Sequence, residues 1–89
     1  MNTFLISFSL NNEELQQNIL KEIQSFDMWA RVLPYTWILK SPETAGEIRT
    51  KLSSSINGDG KILVMRITNT SWATYDILKE VTDWMKQNV

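Results

Sequence analysis

Strand-like and helix-like segments alternate along this chain in an order that few folds accept. Residues 3–10 (TFLISFSL) carry a large apolar side chain at every second position, which predicts a strand with one buried face. A helical pattern follows directly, and Asn11 and Asn12 both supply side-chain oxygens that can cap it. The apolar stripe of this first helix consists of Leu15, Ile19, Ile23 and Phe26.

The middle of the chain predicts two strands and a second helix. Residues 28–41 (MWARVLPYTWILKS) are rich in β-branched and aromatic residues. Pro34 cannot donate a ladder hydrogen bond, so it divides the run into strands at 30–33 and 35–40. The sequence SPE at 41–43 then predicts a helix start, with the serine as its cap and the proline at the first helical position. The buried stripe of this second helix is expected to consist of Ala45, Ile48, Leu52 and Ile56.

The last third of the chain predicts one more strand and one more helix. The turn sequence NGDG at 57–60 precedes a nearly continuous apolar run at 61–68 (KILVMRIT), typical of a strand with both faces covered. Residues 69–71 (NTS) are expected to end the strand and cap a helix over about 72–87. Along one flank of that helix we expect a solvated, salt-bridged face, which we favour over a metal site, formed by Asp76, Glu80 and Asp83.

Two strand–helix–strand units in tandem define the expected fold. They predict an α+β ferredoxin-like βαββαβ sandwich, in which two helices cover one face of a four-stranded antiparallel sheet, with a C-terminal helix added. Eighty-nine residues suit a single domain spanning 1–89. The chain has no Cys, and 43% of its residues are apolar, so packing must supply the stability that disulfides give other small domains.

The predicted last strand carries apolar side chains on both faces, so something besides the two core helices must cover one of them. Either the final helix or a second copy of the chain could do so, and we favour a homodimer. The residues expected at its interface are Leu5, Ser7, Ser9, Ile62 and Val64.

Composition removes most catalytic classes. Without His or Cys, neither a serine triad nor a thiolate nucleophile can form, and the three glycines do not make a phosphate loop. We expect no cofactor and no metal site. The net charge of −1 argues modestly against nucleic-acid binding, which would depend on a local patch. Candidate residues for binding a nucleic acid or another partner are Arg31, Lys40, Arg66 and Trp72, the last as the most exposed tryptophan.

Neither a signal-peptide pattern nor an apolar run long enough to span a bilayer is present, so we expect a cytoplasmic protein without a membrane partner.

Several segments carry a family resemblance that runs over almost the whole chain. They are LISFSLNN (5–12), WARVLPYTWILKS (29–41), AGEIRTKL (45–52) and GDGKILVMRIT (58–68), together with Trp72 and Trp84. With these segments the chain resembles the small bacterial SinR-family proteins, relatives of the CRISPR-associated adaptation nuclease and of VapD-type ribonucleases. The resemblance implies a ferredoxin-like homodimer.

For the catalytic branches the resemblance also implies metal-dependent cleavage of nucleic acid. In those branches the first strand ends in tyrosine-aspartate, and the two aspartates of a dimer hold a divalent cation. The corresponding positions in this chain are Phe8 and Ser9. A neutral hydroxyl cannot replace the carboxylate charge that attracts Mg²⁺, so the resemblance predicts a catalytic position that has lost its metal ligand.

Three functions remain as hypotheses. The first is a non-catalytic, homodimeric interaction or regulatory protein on this nuclease-like scaffold, for example an inhibitor of a toxin, a defence component or a phage target. The second is a Mg²⁺-dependent endoribonuclease or other nuclease of toxin–antitoxin type, with phosphates held by Arg31, Lys40 and Arg66 and an acidic side chain recruited from elsewhere. The third is a nucleic-acid-binding module without cleavage. The serine at position 9 favours the first.

Overall fold

The structure, a computed structural model, describes the whole chain from Met1 to Val89 as one four-stranded antiparallel sheet with three helices. The elements in chain order are β1 (Asn2–Ser9), α1 (Glu13–Gln24), β2 (Met28–Leu33), β3 (Thr36–Ser41), α2 (Ala45–Ser55), β4 (Lys61–Arg66) and α3 (Lys79–Asn88). The strand order is β2-β3-β1-β4. This arrangement confirms the predicted ferredoxin-like α+β fold.

One face of the sheet packs against α1 and α2. The alternation predicted for the first strand is confirmed, because Phe4, Ile6 and Phe8 are all buried. The strand pairs in register with β3, with Ile6 opposite Trp37 and Phe4 opposite Leu39. The helices contribute their apolar stripes to the same core. The buried side chains of this core are Phe4, Ile6, Phe8, Leu15, Ile19, Ile23, Trp37, Leu39, Ile48, Leu52 and Ile56.

The two core helices are capped differently. Asn12 caps α1 as predicted, since its Oδ1 accepts a hydrogen bond of 2.9 Å from the Leu15 backbone N–H. The predicted cap of α2 was wrong: Ser41 is still part of β3, and Thr44 is the cap. Thr44 Oγ1 accepts from the Glu47 N–H, and the Glu47 carboxylate accepts from the Thr44 N–H. This reciprocal capping box satisfies two backbone donors at once, which the serine could not do.

The last helix begins later than predicted. α3 starts at Lys79 and not near residue 72, because Asn69 and Asp76 both adopt positive φ, of 58° and 57°, which interrupts a right-handed helix. The predicted acidic flank is therefore not one helical face: Asp76 lies before the helix, and Asp83 pairs with Lys79 at 2.7 Å. None of the three helices is both long enough and apolar enough to cross a membrane.

α3 packs against the second face of the sheet within the same chain, on the side of β2 and β3. Its Met85 is buried, and it contacts β2. At its end, the backbone oxygen of Asn88 accepts a hydrogen bond of 2.5 Å from Thr3 Oγ1, whose residue is itself buried. The helix therefore covers only the half of this face that β2 and β3 form. In the other half, the side chains that β4 places on this face are not covered by any part of the chain.

Candidate interaction surface

The uncovered half of the second face forms a narrow surface along β1 and β4, made of Ser7, Ser9, Leu63 and Met65, which we call the open strip. In the β1–β4 ladder Ser7 lies opposite Leu63, and Leu5 lies opposite Met65. Leu63 and Met65 are 52% and 50% exposed. Within the chain, therefore, neither the core helices nor α3 cover this face of the last strand.

The residues predicted to form a dimer interface do not share one surface. Ser7 and Ser9 belong to the open strip, but Ile62 and Val64 face the helices and pack against the core. Leu5 lines a crevice beneath α3 and is half-buried. The sequence alone does not reveal which alternate residues of β4 face the helices, because the strand is apolar at each position from Ile62 to Met65. The pairing with β1 fixes it: buried Phe8 lies opposite Ile62.

Ser9 lies at the exposed end of β1. Ser9 is paired in register with Lys61, so a hydroxyl and an ammonium group share this end of the open strip. Asp59 is also at this end of the sheet, and its Oδ1 accepts a hydrogen bond of 3.4 Å from Asn11 Nδ2. Nowhere in the chain do three or more Asp or Glu side chains come together as metal ligands.

These residues do not fit a divalent cation within one chain. Mg²⁺ prefers carboxylate oxygens, and at Ser9 it would meet a neutral hydroxyl with a positive side chain opposite. In a symmetric pair of chains both the serine and the lysine would be duplicated. Duplication adds no carboxylate at position 9, so the pair still lacks there the charged ligand that Mg²⁺ prefers.

The basic residues proposed to hold phosphates lie apart from each other. Arg31 is on β2, at one edge of the sheet, and Arg66 is on β4, at the opposite edge. The Arg31 guanidinium lies 5.4 Å from the centre of the Trp37 ring, and its Nη2 donates a 2.9 Å hydrogen bond to the backbone oxygen of Pro34. Lys40 lies opposite Thr3, on the face of the sheet that is turned away from Arg31 and Arg66. No single phosphate can reach these three cations together.

Trp72 serves a structural role that the sequence did not reveal. It lies in the irregular segment before α3 and is half-buried. The exposed tryptophan is Trp29, whose ring centre lies 5.2 Å from that of Trp37 with the ring planes tilted by 51°. Between this segment, α3 and the sheet lies an apolar crevice of about 280 Å³. Its lining includes Leu5, Val32, Ile38, Ile67, Trp72 and Met85. The tryptophan thus helps to cover the half of the second face that α3 occupies.

The fold and this surface define the chain as a ferredoxin-like α+β protein with one partly open sheet face. Compared with known proteins, the chain matches no family model. Neither a curated protein nor a solved structure is significantly similar to it.

Proposed function

We propose that the chain is a non-catalytic, homodimeric interaction protein whose subunits meet at the open strip. The observation that carries the proposal is the half-exposed pair Leu63 and Met65, on the part of the sheet that α3 leaves uncovered. A small domain gains stability by removing such a contiguous apolar surface from water, at about 25 cal/mol for each Å² buried. A second copy presents the same surface, as a two-fold dimer requires.

The region around Ser9 supports a binding role over a catalytic one. An exposed hydroxyl opposite Lys61 provides no charge to hold a cation, and the three candidate phosphate-binding cations are dispersed. The resemblance to SinR-family proteins, relatives of the CRISPR-associated adaptation nuclease, supports a nuclease-like scaffold, which in this proposal binds a partner and does not cleave nucleic acid. In this proposal the dimer regulates another protein, such as a toxin or a defence component.

The oligomeric state tests the first part of the proposal. Sedimentation velocity at several micromolar concentrations should show a dimer for the unmodified chain. Leu63→Asp should raise its dissociation constant about 100-fold, because an unpaired carboxylate at an interface costs roughly 3 kcal/mol. Leu78→Asp is the matched control, since Leu78 is 68% exposed and lies outside the open strip, and it should leave the dimer intact. A chain that remains monomeric at these concentrations contradicts the proposal.

A nuclease assay tests the second part. The unmodified chain should leave single- and double-stranded RNA and DNA intact in the presence of Mg²⁺. Cleavage that stops when a chelator is added would support the toxin–antitoxin type of nuclease instead. Ser9→Asp, with neutral Ser9→Asn as its control, separates the remaining cases. Activity only in the aspartate variant indicates a nuclease scaffold that lacks just the metal-binding carboxylate at this position. No activity in either variant supports a protein that only binds. A salt-dependent gel shift without cleavage would indicate a nucleic-acid-binding module.

A further inference from the structure

The apolar crevice of about 280 Å³ beside α3 is enclosed by three parts of the chain. Its floor is the second face of the sheet, where Ile38 is 2% exposed, and one wall is α3, with buried Met85. The other wall is the irregular stretch 67–78 between β4 and α3, which we call the connecting segment and which contributes half-buried Trp72. None of the four residues of the open strip lines this crevice, so the two surfaces are separate.

Both walls of the crevice are attached to the same residue of β1. At the start of the connecting segment, the Ile67 backbone N–H donates a 2.8 Å hydrogen bond to the Thr3 carbonyl. At the end of α3, the Asn88 carbonyl accepts a hydrogen bond from the Thr3 hydroxyl. The crevice is therefore held in shape in the free chain. A site formed in advance binds its ligand with little loss of conformational entropy.

The chain does not fill this space, although it has large side chains in the same segment. Tyr75 and Leu78 both belong to the connecting segment, and they are 94% and 68% exposed and lie outside the lining. Moving either of them into the crevice would remove apolar surface from water, which is favourable. Both point elsewhere, so the space stays available to a ligand.

The chemistry of the lining excludes a charged ligand. Nine of the 13 lining residues are hydrophobic, and the other four are Thr36, Thr70, Ser71 and Thr74, so no ionisable side chain is among them. A carboxylate or phosphate would lose its hydration in the crevice without gaining a counter-ion. The Thr70 hydroxyl already donates a 2.8 Å hydrogen bond to the Ile67 carbonyl. The other three hydroxyls form no hydrogen bond within the chain, so they can bond a polar group of a neutral ligand.

The size of the crevice and two of its side chains favour an aromatic ligand. Its volume of about 280 Å³ is just below the range of roughly 300–1,000 Å³ that holds drug-sized molecules, so one or two rings suit it. Trp72 supplies an indole, and aromatic pairs stabilise each other by more than their buried area alone. The thioether of Met85 also makes favourable contacts with aromatic rings. An aliphatic chain gains neither contribution.

We propose that this crevice binds a small, uncharged aromatic molecule of one or two rings, whose polar group is held by the hydroxyls of Ser71 and Thr74. Both residues are exposed, so the polar group lies at the mouth of the crevice and the rings lie inside. The proposal goes beyond the interaction function and does not depend on the homodimer, since the crevice and the open strip share no residue. A linear aliphatic alcohol is the competing ligand.

Titration of the full chain with 2-naphthol tests the site. In methyl NMR spectra of the isotope-labelled chain, the resonances of Val32, Ile38 and Met85 should shift and saturate with a dissociation constant of about 100 µM or lower. The resonances of Leu63 and Met65, in the open strip, should not move. The absence of a saturable shift up to about 1 mM 2-naphthol overturns the proposal, as do shifts confined to the open strip.

Two further probes test the chemical class of the ligand. The anion 2-naphthoate has the same rings as 2-naphthol, and it should bind at least about tenfold more weakly because the lining offers no counter-ion. The aliphatic alcohol 1-octanol should also bind more weakly than 2-naphthol. Equal or tighter binding of 2-naphthoate overturns the uncharged class, and equal or tighter binding of 1-octanol overturns the aromatic class.

A substitution that fills the crevice provides an independent test. Val32→Trp places an indole in the lining and should weaken 2-naphthol binding at least about tenfold. Leu78→Trp adds the same side chain at an exposed position outside the lining, and it should leave binding unchanged. A folded Val32→Trp variant that binds 2-naphthol as tightly as the unmodified chain overturns the site. If this variant does not fold, the methyl shifts of the unmodified chain decide the matter, because they need no substitution.

Discussion

The hydroxyl of Thr3 donates a hydrogen bond to the backbone oxygen of Asn88, so the first strand of the sheet is joined to the last turn of the last helix. The backbone N–H of the same threonine bonds the hydroxyl of Thr68, just beyond β4. One buried residue thus connects β1 to the segment that leaves β4 and to the helix that covers the sheet. This connection joins α3 to the sheet of its own chain.

Removing the Thr3 hydroxyl should weaken the attachment of α3. Thr3→Val keeps the shape of the side chain but leaves the Asn88 carbonyl without this donor, which should lower the free energy of unfolding by about 1–2 kcal/mol. Urea unfolding followed by tryptophan fluorescence measures it, and amide exchange in α3 should quicken. Thr3→Ser keeps the hydroxyl and should lose less stability. Equal stability of Thr3→Val and the unmodified chain would contradict the role assigned to this bond.

The turn before β4 contains two glycines that should respond differently to the same substitution. Gly60 has a φ of 138°, and a Cβ there would lie 3.3 Å from the Ser9 backbone oxygen and meet Leu10 as well. Gly58 has a φ of 72° and open space around it. Gly60→Ala should therefore cost about 2–3 kcal/mol of unfolding free energy and Gly58→Ala about 1 kcal/mol. Comparison of their urea midpoints tests this order, and the reverse order would refute the close approach.

Two leucines with opposite exposure offer a test of the core. Leu52 is fully buried between α2 and the sheet, whereas Leu78 is 68% exposed. Leu52→Ala should lower the free energy of unfolding by about 2–5 kcal/mol because it leaves a cavity, and Leu78→Ala should change it by less than about 0.5 kcal/mol. Thermal and urea unfolding of both variants provide the check. Similar losses at the two sites would contradict the described core.

The capping box predicts a small dependence of stability on pH. The Thr44 backbone N–H donates to the Glu47 carboxylate, which lowers the pKa of Glu47 below its usual value of 4.5. Its contribution to folding is therefore present above pH 4.5 and is lost as the pH falls through the lowered pKa. Glu47→Gln should reduce the loss of stability between pH 5 and pH 3, measured from urea midpoints at each pH. Because the side chain is exposed, the difference should be modest, and an unchanged pH profile would argue against the carboxylate's role.

The fold could be predicted from the sequence because its strongest apolar patterns mark the same faces that are buried in the folded chain. The period-two pattern around Ile6 and the period of about 3.6 around Ile19 both describe faces that are buried in the same core. The beginning of α3 was missed because capping residues at 69–71 look like a helix start, and only the positive φ at Asn69 and Asp76 shows otherwise. Residue propensity alone does not show that the backbone departs from a helix at these two positions.

The surface was less predictable than the fold because it depends on strand pairing between distant parts of the chain. Ser9 could be identified as an outward-facing polar residue from the alternation of β1 alone. Its neighbour Lys61 could not, because the two are brought together only by the β1–β4 ladder. The choice of Leu63 and Met65 over Ile62 and Val64 as the exposed side chains depends on the same register.

The exposed setting of Ser9 also bears on how such a chain can change during evolution. Substitutions at exposed positions outside the core usually alter folding free energy by no more than about 0.5 kcal/mol. A lineage can therefore exchange a charged and a neutral side chain at this position without passing through an unfolded protein. Selection can thus change the charge at this exposed end of β1 nearly independently of folding stability.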